Sequence, residues 1–64
     1  MSAAPWAEPY VTLLEDCERR ESRLTDWERG FVDSLSRQIE QGRRPSAKQV
    51  ETLDTIWERA TARG

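Results

Sequence analysis

The stretch Gly42-Arg43-Arg44-Pro45 lies between two helix-start signals, Thr25 with Glu28 and Ser46 with Gln49, and each signal leads into an apolar stripe at helical spacing. In such a box the hydroxyl accepts from a backbone N–H in the first turn. The Glu or Gln side chain accepts in return from the N–H of the capping residue, so both starts are specified locally. A glycine after the first stripe supplies the left-handed residue that closes a helix. A connection this short makes the two helices antiparallel neighbours. The chain is therefore expected to hold a helical hairpin from about Leu24 to Arg59.

The rest of the pattern is also helical. Pro9 suits a first helical turn, and Tyr10, Leu13, Leu14 and Cys17 share one face at i, i+3, i+4 and i+7. Glu15 with Arg19 and Asp16 with Arg20 are spaced as favourable i, i+4 pairs. In the second stripe Trp27, Phe31, Leu35 and Ile39 recur, with Val32 on the flank and Leu24 placed as a staple before the start. Val50, Leu53, Ile56, Trp57 and Ala60 make the third. These stripes predict an all-α fold, a small three-helix domain with helices over about 9–21, 26–41 and 47–61. Residues 1–8 are expected to be a flexible arm and 9–62 the single domain, fraying at Ala62-Arg63-Gly64. Trp27 and Trp57 are assigned to the core, and Gly30 to the close approach of a neighbouring helix.

A chain of 64 residues buries only a small core. The common supplements are not in its composition: Cys17 is the single cysteine and there is no histidine, so an internal disulfide is impossible and a zinc site is not expected. No cofactor is implied. The single thiol and the lack of a long apolar segment or a signal sequence predict a cytoplasmic protein without a membrane span. Charge is unevenly placed. Residues 1–28 carry seven acids against three arginines, a balance of −4, whereas residues 29–64 carry seven bases against five acids, a balance of +2.

No constellation points to a reaction. Cys17 falls on an apolar face, where a thiol behaves as a small hydrophobe, and the three glycines are too far apart for a phosphate loop. A catalytic site is not expected. Two binding features stand out. Arg43, Arg44 and Lys48 surround a helix start with Arg37 upstream, so an anion such as a phosphate backbone could meet positive side chains and free N–H groups. The plainer alternative is that Arg43 and Arg44 solvate a turn while Arg37 pairs with Asp33 or Glu40. Glu51, Asp54 and Glu58 on the third helix would repel phosphates. Trp6 lies in a proline-flanked segment and is divided between packing within the chain and anchoring a partner.

The segment from Trp27 to Leu35, followed by Gly42 to Gln49 and by Leu53 with Ile56, resembles a helical-hairpin module of phage and bacterial proteins associated with DNA metabolism. The pattern is W-E-x-x-F-x-x-S-L, then G-R-x-L-S-x-K-Q, then L-x-x-I. Gly42, Arg43, Ser46, Lys48 and Gln49 match it, and Pro45 stands where it has leucine. The resemblance implies a setting in nucleic-acid machinery. The residues themselves point to a non-enzymatic accessory or adaptor that binds a protein partner. The partner-binding residues are taken to be Trp6, Arg37, Arg43, Arg44 and Lys48. Direct nucleic-acid binding through the basic turn and self-association as a small structural protein are the alternatives.

Overall fold

A computed structural model describes residues 4–62 as three α-helices, with no strand among them. Helix α1 spans Glu8–Arg19, α2 Asp26–Glu40 and α3 Ala47–Ala60; single turns of 3-10 helix cover Pro5–Ala7 and Glu21–Arg23. The protein is a small all-α three-helix domain.

Each boundary has a local cause. Pro9 sits in the first turn of α1, where a missing N–H removes no helical bond. Both capping boxes form: Glu28 N–H donates to Thr25 Oγ1 at 3.1 Å and Thr25 N–H to Glu28 Oε1 at 2.8 Å. Gln49 N–H donates to Ser46 Oγ at 3.1 Å and Ser46 N–H to Gln49 Oε1 at 2.9 Å. Gly42 has φ +83° and closes α2. Its N–H donates to the Ile39 carbonyl at 2.9 Å, and Arg43 N–H to the Gln38 carbonyl at 3.1 Å, the Schellman arrangement.

Two side-chain ties show that α2 and α3 run antiparallel. At the turn, Gln38 and Gln49 bond side by side, and at the far end Arg59 pairs with Glu28. The two helices do not zip over one another, however. Helix α1 packs more extensively on each of them than they pack together, so the core is a three-way junction rather than the inside of a hairpin. Leu14 and Cys17 from α1 meet Val32, Leu35 and Ile39 from α2 and Leu53, Ile56 and Ala60 from α3, with Ala7 and Leu24 closing the ends.

The described part of the expected arm packs against this core. Ala7 is buried, Trp6 is half-buried, and α1 begins at Glu8. Residues 1–3 of that arm, and Arg63 and Gly64 of the expected frayed end, lie outside the described residues.

Three assignments need correction. Trp27 is not in the core: it is 66% exposed. Each i+4 step overshoots a turn by about 40° when a helix has 3.6 residues per turn, so the row from Trp27 to Ile39 winds by about 120°. Trp27 thus leaves the face that Val32, Leu35 and Ile39 bury. Gly30 meets no neighbouring helix, since a Cβ placed there has nothing within 4 Å. On α1, Arg19 pairs with Asp16 at 3.8 Å rather than with Glu15, and Arg20 Nη1 donates to the Asp16 carbonyl at 3.1 Å. Trp57 is half-buried against the core, with its indole N–H donating to Asp16 Oδ2 at 3.0 Å.

Candidate functional site

The basic turn is built as a solvated connection. Arg43, Arg44 and Lys48 are exposed. Arg37 is also exposed and pairs with Asp33 at 3.0 Å, one turn back along α2. The Arg44 guanidinium lies over the Trp6 ring, 5.4 Å from its centroid. This cation–π contact places the sequence's two binding features against each other and engages Trp6 within the chain. The Arg44 carbonyl accepts from Gln38 Nε2 at 3.1 Å. The capping box has already engaged the Ser46 and Gln49 N–H groups at the start of α3. Arg43 and Lys48 are thus left as the basic side chains of the turn with neither an ion pair nor an aromatic contact among the described residues.

The exposed aromatic surface lies on the opposite end of α2. Trp27 stacks on Phe31 with ring centroids 5.6 Å apart and planes 14° from parallel. Phe31 reaches the core from its half-buried position, so the pair is fixed at one edge and open at the other. Asp26, Gly30 and Ser34 complete a shallow hollow of about 390 Å³ around it. Arg29 pairs with Asp26, so the acid at the rim is already partnered. The absent side chain at Gly30 leaves backbone exposed beside the rings.

Periodicity misassigned this surface because a drifting i+4 row reads as a core stripe. A signal was present in the sequence: a glycine and a serine, Gly30 and Ser34, border Trp27 and Phe31 on the same side of the helix. What sets Trp27 apart from a singly exposed hydrophobic is its stacking on half-buried Phe31, which makes the apolar surface continuous.

Cys17 is fully buried. Burial pushes its thiol pKa up, and the Asp16 carboxylate adds to the effect. The thiol is thereby held protonated, whereas nucleophilic attack requires the thiolate. Among the described residues no three His, Cys, Asp or Glu side chains are placed to hold a metal ion. No helix there is long and apolar enough to cross a membrane.

Comparison with known protein families, curated proteins and solved structures finds no match to this chain.

Proposed function

We propose that this chain is a non-enzymatic adaptor module that binds a protein partner through the Trp27–Phe31 surface of α2. The observation that carries this reading is the 66% exposure of Trp27, whereas the other large hydrophobics among the described residues are buried or half-buried. Leaving most of an indole in water forgoes much of the roughly 1.5–3 kcal/mol that full burial of a large apolar side chain contributes. Tryptophan is among the residues that dominate binding energy at protein interfaces, where a partner excludes the water. The partner would seat an apolar side chain in the hollow, against the indole edge and the Gly30 backbone.

Direct nucleic-acid binding is the rival reading, favoured by exposed Arg43 and Lys48 beside the start of α3. It has less support. Arg37 and Arg44 already have partners, and Glu51, Asp54 and Glu58 lie exposed along α3. A setting within nucleic-acid machinery is part of the proposal through the resemblance alone.

The test compares immobilised wild type with Trp27→Ala in retaining proteins from the native host at raised salt. A protein retained by wild type and lost with Trp27→Ala, the circular dichroism of both being the same, supports the reading. Equal retention by both removes Trp27 from it. Binding of a duplex oligonucleotide that falls steeply with salt and is lost in Arg43→Ala/Lys48→Ala would favour the rival.

A further inference from the structure

A groove of about 780 Å³ runs between α1 and α2 and shares no residue with the Trp27 hollow. Its floor is apolar: Leu14 and Ile39 are 3% and 7% exposed, and Trp6 and Val11 pack half-buried beside them. Its rim is acidic on both walls, with Glu15 and Glu18 on α1 and Glu40 on α2. All three glutamates are exposed, and none takes part in an ion pair among the described residues. The arginines that could have neutralised them are turned elsewhere, Arg19 to Asp16 and Arg37 to Asp33. No basic side chain among the described residues lines the groove itself, and Arg44 meets it only through Trp6, over whose ring its guanidinium lies.

These acids do not make an ion site. No three acidic groups among the described residues come close enough to hold a metal, so the charge is distributed along two edges of an apolar floor. That distribution is complementary to an element with an apolar stripe and cations on both flanks. A helix presents this arrangement when apolar residues at i, i+3, i+4 and i+7 are bordered by Lys or Arg. It would lie against α1 and α2 as a further helix of the bundle.

We infer that the α1–α2 groove is a second docking surface, which takes a basic amphipathic helix of a partner protein. It goes beyond the Trp27 reading and gives the module the two separate surfaces that bridging requires. Opposite charges on the rim steer and orient the incoming helix, and burial of its apolar stripe supplies most of the affinity.

The probe is a helical leucine–lysine peptide whose apolar stripe is flanked by lysines, set against its leucine–glutamate counterpart. Methyl NMR of the full chain follows Val11, Leu14 and Ile39. The basic peptide is expected to shift these methyls and to bind more tightly than the acidic one by about tenfold or more. Glu15→Gln/Glu18→Gln/Glu40→Gln should weaken it by about tenfold, whereas the same change of net charge at Glu51, Asp54 and Glu58 should weaken it far less. Trp27→Ala should leave it unchanged, so failure of the groove and failure of the Trp27 surface are separate results. Equal binding of the two peptides, equal loss in both triple variants, or an equal loss with Trp27→Ala would overturn the inference. So would dilution-dependent shifts of the same methyls without peptide, which would assign the groove to a second copy of this chain.

Discussion

Gln38 and Gln49 exchange two amide hydrogen bonds across the turn between α2 and α3, each 3.1 Å long. Each amide also works locally. Gln49 Oε1 accepts from the Ser46 N–H and Gln38 Nε2 donates to the Arg44 carbonyl, so one side-chain pair fixes the turn, the helix start and the register of two helices. Direct packing between α2 and α3 is slight, and these bonds, with Glu28 and Arg59 at the far end, tie together two helices that are otherwise held mainly through α1.

Gln49→Ala should therefore destabilise the domain more than the loss of a capping side chain alone. The expected cost is about 1–2 kcal/mol by urea denaturation. Gln38→Ala should cost about 1 kcal/mol, and the double variant less than the sum, because the two remove the same bonds. Strict additivity would separate the pair into two independent caps.

Glu28 links stability to pH. The Thr25 N–H bond holds its carboxyl below the usual carboxylate range, outweighing the opposite effect of burial, and Arg59 adds to the lowering. A group whose pKa is lower when folded contributes stability that is present above its unfolded pKa and lost as pH falls through the folded one. Wild type should thus weaken on acidification below its ordinary value of 4.5. Glu28→Gln, which keeps an acceptor for the Thr25 N–H, should start less stable at neutral pH and show a shallower acid limb in thermal scans across pH. Parallel acid limbs would exclude Glu28 as a source of the dependence.

Cys17 reports on the core. Complete burial and a raised pKa should make its reaction with a disulfide reagent very slow in the folded domain and fast in urea. Labelling rates measured against urea should follow the unfolding curve, and rapid labelling without denaturant would mean that α1 opens away from α2 and α3.

Gly30 separates stability from binding at one position. With a helical backbone and nothing within 4 Å of where an alanine methyl would stand, Gly30→Ala should stabilise the domain by up to about 1 kcal/mol. The same methyl would project into the hollow beside Trp27 and Phe31, so affinity for the partner should fall while the melting temperature rises. A gain in both would place the partner elsewhere.

The fold was legible in the sequence where the causes are local. Thr25 with Glu28, Ser46 with Gln49 and Gly42 each act within a turn of their own position, and they mark the start of α2, the start of α3 and the end of α2 as observed. The role of α1 was less legible, because Leu14 and Cys17 show an apolar face without showing that it wedges between the other two. The surfaces were harder still. Arg44 reaches Trp6 across 38 positions of sequence, and no spacing rule encodes that contact. Trp27 shows a different failure: hydrophobicity and near-helical spacing both assigned it inward, and only the accumulated rotation along α2 turns it out. Glu15 and Glu18 acquire meaning once Arg19 is seen to choose Asp16.

The most direct test of the account is a titration of the recovered partner against wild type and Trp27→Ala, with urea stability measured on the same samples. We expect the variant to lose at least about 2 kcal/mol of binding free energy, a factor of roughly 30 in Kd, while its folding stability stays within about 1 kcal/mol of wild type. An unchanged Kd in a folded Trp27→Ala domain would contradict the claim that this exposed indole is where the module meets its partner.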